Sequence, residues 1–237
     1  MPKLETLLAR NLGCSRGEAR GLLARDASGL PHEVLPGALP LCLTIAGRRI
    51  NIHGSFHLLL HKPAGCVTAL SDSRHLAAAS YVAGAPLAAE LRPIGRLDLD
   101  TTGLLLWTTD GAWLHRLTHP RGALPRGYHA VLARPYQPLP ADLVLRDGHR
   151  PRVVDLHPLA PHEAHPALPR PEGAAVFAAI TIAGGAYHEV RRIFAALGSH
   201  VLALCRVSFG ALTLPTDLAA GSWRPITKAE VEPPTAR

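Results

Sequence analysis

Residues 95 to 111 read Gly-Arg-Leu-Asp-Leu-Asp-Thr-Thr-Gly-Leu-Leu-Leu-Trp-Thr-Thr-Asp-Gly, and the apolar run 104–107 at their centre constrains the fold most. A strand that is apolar at every position has to be covered on both faces, so the chain must build a buried sheet with layers on either side. Just ahead of that strand stand an arginine (Arg96), a carboxylate (Asp98) and a glycine turn. This arrangement hangs one ionisable side chain at the mouth of a buried sheet, where active-site carboxylates are usually found.

The rest of the chain can supply such a core. Of its 237 residues, 47% are hydrophobic, which argues against wholesale disorder and allows one large domain or a small and a medium one. The formal charge of +7 and the pI near 9.7 favour a polyanionic partner such as nucleic acid. The lysines are Lys3, Lys62 and Lys228, all other basic residues being arginines, and a GC-rich genome would encode the same bias; charge alone leaves both explanations standing. Cys14, Cys42, Cys66 and Cys205 lie far apart with no C-x-x-C pair, so reduced thiols are expected rather than a disulfide framework or zinc knuckle. No apolar run has the length of a signal peptide or membrane span, and a soluble cytoplasmic protein is the expectation.

Two short helices open the chain. Leu4, Leu7, Leu8 and Leu12 recur at helical spacing and Gly13 stops them; Ser15 with Glu18 three residues on forms a capping box for a second helix. That helix turns Ala19, Leu22 and Leu23 inward and carries Arg16 and Arg20 on an outer edge. Strands are expected at 41–45, 49–52, 56–61, 104–108, 128–133, 152–157, 176–183 and 201–208, with a final hairpin over 210–225. Asp110-Gly111 should open a helix through Trp113, Leu114 and Leu117, and the Pro- and His-rich stretch 158–173 reads as a surface loop. After Gly184-Gly185, Val190, Ile193, Phe194 and Leu197 share one helix face that Gly198 ends. Arg192 points away from that face, whereas Arg191 sits at its border, where it can be partly buried and still reach a carboxylate.

Four separated blocks, Lys62-Pro63-Ala64-Gly65, the segment 95–111, Tyr128 and the region 188–206, closely resemble the pseudouridine synthases, in the branch that modifies ribosomal RNA. With Trp113 and the closing Asp217-Leu218-Ala219-Ala220-Gly221, the likeness is greatest to the synthases of small-subunit (16S) rRNA. The resemblance implies an α+β fold: a pseudouridine synthase domain with a mostly antiparallel mixed sheet and flanking helices over residues 55–237. Residues 1–54 resemble a small S4-like α/β RNA-binding domain. It is shortened, because the S4 pattern passes into a Gly-x-Val-x-Val-Asn-Gly hairpin where this chain has residues 27–32.

The implied activity is isomerisation of uridine to pseudouridine in rRNA. No atoms are gained or lost, so neither cofactor nor metal is called for. The resemblance makes Asp98 the catalytic carboxylate, Arg191 its basic partner and Tyr128 the active-site tyrosine, and it puts Leu204 against the uracil. A nearby opposite charge favours the ionised form of a carboxylate. Arg96, Arg126 and Arg206, with Arg116 and Arg121, are candidate contacts to RNA near the pocket, and Arg16 and Arg20 in the first unit. The expected partners are 16S rRNA or small-subunit assembly intermediates met by a monomer, with no membrane. A 23S or transfer-RNA target, or a non-catalytic RNA-binding assembly factor, are the alternatives. Two departures stand out. The family's glutamine is Glu189 here, which adds negative charge beside the pocket or pairs with an arginine, and its Lys-Thr is Arg126-Gly127, which keeps the charge and loosens the backbone.

Overall fold

A computed structural model of the chain describes residues 2–25, 33–35, 38–45, 47–119 and 124–232. The segment 27–32 and Arg121 lie outside these residues.

Helices α1 (Leu4–Leu12) and α2 (Arg16–Arg25) form where the leucine spacing and the capping box put them. Gly13 ends α1 in the left-handed conformation, and Ser15 and Glu18 exchange both bonds of the box, at 2.8 and 3.2 Å. The helices pack with an antiparallel pair, β1 (Leu41–Ile45) and β2 (Arg48–Ile52), around Leu7, Leu8, Ala19, Leu43 and Ile52. This core is separate from those of the remaining chain. It is tied on by an ion pair of 2.7 Å between Arg10 and Glu90, while Asn11 holds the end of the unit by bonding both the N–H and the carbonyl of His53.

The larger unit is built on a sheet that comprises β3 (His57–Lys62), β6 (Arg92–Ile94), β7 (Thr102–Thr108), β8 (Arg126–Leu132), β9 (Val153–Pro158), β10 (Val176–Ile182), β11 (Val201–Phe209), β12 (Leu212–Thr213) and β13 (Trp223–Pro225). Two further short strands, β4 (Cys66–Val67) and β5 (Leu76–Ala77), pair with each other off this sheet. The order along the main path is β13-β3-β7-β11-β8-β10-β9, with β6 on β7 and β12 on β11. Every pairing in it is antiparallel except β7 with β11, which run parallel and meet only at Thr102–Cys205 and Gly103–Arg206. Two antiparallel half-sheets are thus joined at a seam two residue pairs long.

Gly103 makes that seam possible. Its φ is +105°, and a Cβ there would lie 2.3 Å from the carbonyl oxygen of Arg206 and 2.8 Å from its nitrogen. β7 is buried at every position, as its composition requires: Leu105 and Trp107 enter one core, Leu104 and Leu106 the other. The first core is closed by α4 (Glu189–Ala196), through Val190, Ile193 and Phe194 with Leu197 just beyond, and by Ala78 and Val82. Over the second lie Trp113 and Leu117 of α3 (Gly111–Thr118). Asp110 caps that helix by accepting from the Trp113 N–H at 3.0 Å. Each large apolar side chain so covered stabilises the fold by roughly 1.5–3 kcal/mol.

Two expectations differ from what is found. The stretch after β9 has no strand or helix, yet it is not merely surface. Ala164 and Leu168 are buried in the second core, and Thr102 donates from its hydroxyl to the Ala167 carbonyl at 2.9 Å. Its few apolar residues join Trp113 and Leu117 of α3 in covering that core. The final segment is also not one hairpin. β12 turns back on β11, but β13 crosses to the far edge and pairs with β3, guided by the 217–221 block, where His61 bonds the Leu218 carbonyl and the Gly221 N–H bonds the His61 carbonyl.

The cysteines are free thiols, and burial pushes Cys205 up to about 11. No helix of the described residues is long and apolar enough to cross a membrane.

Candidate active site at the seam of the two half-sheets

The loop between β6 and β7 ends at the seam, and it is held from below. Lys62, fully buried, donates its amine to the carbonyls of Thr101 at 2.9 Å, Pro63 at 3.0 Å and Leu99 at 3.4 Å. Thr68 clamps the other end, its hydroxyl donating to the Leu97 carbonyl at 2.9 Å and accepting from the Leu97 N–H at 3.1 Å. The Gly65 N–H adds a bond of 2.8 Å to the Leu99 carbonyl. Burial lowers the Lys62 amine from its ordinary value, and the charges of Asp98 and Asp100 pull the other way. Such an amine, saturated by carbonyls and placed under an acidic loop, fixes backbone rather than meeting solvent.

Asp98 projects from this clamped loop. Its Oδ2 lies 3.5 Å from Nε of Arg191, and its Oδ1 lies 3.3 Å from Nε2 of His188. Arg191 is shared: its Nη2 bonds Asp100 at 2.8 Å and its Nη1 the Val201 carbonyl at 3.3 Å. The border position on α4 lets the guanidinium run along the helix flank to the loop, while Arg192, farther round, pairs with Asp147.

The carboxylate opens on a cleft of about 630 Å³, within the usual size of a small-ligand site. Asp98, Arg191, Tyr128, Arg96, Leu204, Arg126 and Arg206 all line it. Residues two apart on a strand share a face, so β8 contributes Arg126 and Tyr128 and β11 contributes Leu204 and Arg206. The basic side chains differ in what they can reach. Arg96 is exposed and makes no ion pair or hydrogen bond with the described residues. Arg206 is only 1% exposed, its Nε donating to the Leu104 carbonyl at 2.6 Å and its Nη2 buried without a partner. Arg126 is also buried. It bonds the carbonyls of Gly184 and Leu117, packs 4.9 Å above the Phe209 ring, and is lowered by burial. Both thus line the cleft from buried positions, whereas Arg96 lines it from an exposed one. Arg116 pairs with Glu232 at 2.6 Å, and Arg16 and Arg20 lie outside the cleft, on the first unit, where Arg20 pairs with Glu5.

Both sequence departures are absorbed by packing. Glu189 is buried, and its partners are His149 Nε2 at 2.9 Å and the Ala186 N–H at 2.9 Å rather than an arginine. Gly127 does not loosen β8. The space its missing side chain leaves is filled by the Ser208 hydroxyl, which accepts from the Gly127 N–H at 3.1 Å, and the strand stays paired on both sides. Sequence reasoning missed His188, Lys62 as a clamp, and Thr68. For Lys62 a signal was present, a charge ending a buried apolar strand.

An acid between two half-sheets, faced by a guanidinium and an imidazole in a cleft lined by a tyrosine and a leucine, is a nucleobase-sized site for carboxylate chemistry. The family model for RNA pseudouridylate synthase matches residues 57–196, and the chain belongs to this family. It is 34% identical to the ribosomal small subunit pseudouridine synthase A of Escherichia coli K12, over 97% of this chain and 98% of that protein. Identity to the protein of the same name from Salmonella typhimurium LT2 is 37%, again over 97% and 98% of the two chains. A crystal structure of a pseudouridylate synthase superposes with a TM-score of 0.56 at 27% identity, covering 98% of this chain and 99% of that one. The α+β fold and the enzyme class expected from the sequence, an RNA-modifying isomerase, are those of this family.

Proposed function

We propose that this chain converts a uridine of small-subunit (16S) rRNA to pseudouridine, with Asp98 as the catalytic carboxylate. The observation that carries the reading is Asp98 on a clamped loop, one oxygen facing Arg191 and the other His188, over a cleft lined by Tyr128 and Leu204. The choice of rRNA is supported by relatives named as small-subunit synthases that align over 97% of this chain.

The reaction breaks the N1–C1′ bond, turns the uracil and joins C5 to C1′; the proton lost from C5 is balanced by one gained at N1. A single carboxylate near C1′ can serve by attacking the sugar, by adding to the ring or by taking a ribose proton. In each route Arg191 sets an opposite charge 3.5 Å from the acid, while Tyr128 offers a ring and Leu204 an apolar surface to the base from one side of the cleft. Extruding a uridine from folded RNA costs a few kcal/mol. Arg96, exposed at the rim, offsets part of that through phosphate, helped by the buried charges of Arg126 and Arg206. Residues 1–54 act as a shortened S4-like RNA-binding domain, with Arg16 and Arg20 towards the backbone of the RNA, and 55–237 as the catalytic domain. The protein works in the cytoplasm as a monomer, on 16S rRNA or an assembly intermediate.

Mapping pseudouridine in rRNA from cells lacking this protein tests the reading. One 16S position should revert to uridine; loss at a 23S or transfer-RNA position would move the target, and an unchanged map would leave only a non-catalytic role. For the first domain, joint Arg16→Glu and Arg20→Glu substitution should weaken binding of a 16S transcript and flatten its salt dependence by about two phosphate contacts. Equal affinity and slope across a salt series would remove the domain from RNA binding.

A further inference from the structure

Tyr187 is 78% exposed, more than any other large apolar or aromatic side chain of the described residues. It is nevertheless ordered against a neighbour: its ring stacks on His188 with centroids 3.8 Å apart and planes 19° from parallel. His188 holds a left-handed backbone, φ 49°, which costs a residue with a Cβ and persists only where the surroundings enforce it. They do so here. The Tyr187 carbonyl accepts from Arg192 at 3.2 Å, and the buried Glu189 carboxylate bonds the Ala186 N–H and faces His149. The result is a rigid turn that points the His188 imidazole at Asp98, 3.3 Å away, with Tyr187 stacked against it.

We infer that Tyr187 is a stacking platform for the nucleotide beside the target uridine, so that the Tyr187–His188 pair carries base stacking to the edge of the catalytic carboxylate. The inference rests on the function proposed above. Flipping one uridine unstacks its neighbour, and that neighbour needs a new π face close to the cleft. Tyr187 offers one, with one ring already stacked and the remaining area in water. Its chemistry suits any base, since every base has a face to stack. Tyr187 is therefore a positioning residue that touches the strand and leaves bond making to the cleft.

The test uses the full chain and a 16S rRNA transcript labelled with tritium at C5 of uridine, because pseudouridine formation releases that hydrogen. Tyr187→Leu should raise KM about tenfold with little change in kcat, while Tyr187→Phe and Tyr187→Trp should stay near wild type. A leucine variant with wild-type KM, or a loss confined to kcat, overturns the platform. Filter binding of the same transcript keeps this separate from the functional reading. Should the wild type bind but release no tritium, the proposed reaction fails; the platform then stands if leucine alone weakens binding about tenfold and falls if all variants bind equally.

Discussion

Replacing Asp98 by asparagine should stop isomerisation, with kcat falling by about 10⁴-fold or more, while affinity for a 16S transcript stays within a few-fold. The substitution keeps the shape of the side chain and removes its charge, its nucleophilicity and its basicity together, and every route open to this cleft needs at least one of these. The fold should hardly notice. Asp98 is partly exposed, the loop beneath it is held by Lys62 and Thr68 through backbone atoms alone, and Arg191 keeps its bond of 2.8 Å to Asp100. The melting temperature should therefore move little, and RNA contacts made by Arg96 and the first domain persist. Tritium release and filter binding on the same preparations read the two quantities separately. A variant that turns over at a tenth of the wild-type rate or better would mean that another group does the chemistry. Asp100 would be the next carboxylate to examine, since it shares Arg191.

The parts of the molecule governed by local rules were legible before the structure. The capping box at Ser15 and Glu18, the apolar face of α4 and the two-sided burial of β7 follow from spacing and composition. The pairing of Asp98 with Arg191 was legible only through the family resemblance and the border position of Arg191, because the two lie far apart in the chain. What escaped was decided by tertiary closure. Arginines default to the surface, and residue type alone does not foretell that Arg126 and Arg206, candidate RNA contacts that do line the cleft, are buried beside Phe209. Their strands gave a hint: Arg206 has the same parity as Leu204 on β11, and a charge on the buried face of a strand has to find partners inside. His188 was passed over because nothing local announces a left-handed histidine opposite a carboxylate of another loop. The crossing of β13 to β3 was equally hidden, since the nine residues between Thr213 and Trp223 leave the partner of β13 to be decided by closure of the sheet edge.

A second substitution tests the seam itself. Gly103→Ala should destabilise the chain by about 2–6 kcal/mol, the sum of a strained left-handed residue and an overpacked contact, each about 1–3 kcal/mol. The contact cannot be relieved by a rotamer change, because the added carbon meets the backbone oxygen and nitrogen of Arg206 at 2.3 and 2.8 Å. The strands must part instead, and β7 and β11 are joined there by two residue pairs only. Since Asp98 belongs to the β7 side and Tyr128 and Leu204 to the other, parting them also widens the cleft. Activity of the molecules that remain folded should then fall, beyond the loss of stability. Gly173→Ala provides the comparison: its φ is +73° but nothing lies within 4 Å of a Cβ there, so it reports backbone strain alone. Urea midpoints of the two variants, with tritium release measured well below both transitions, separate strain from collision. If Gly103→Ala unfolds no more readily than Gly173→Ala and keeps full activity, the two half-sheets do not depend on that close approach, and the geometry of the acid against the tyrosine is maintained by something else.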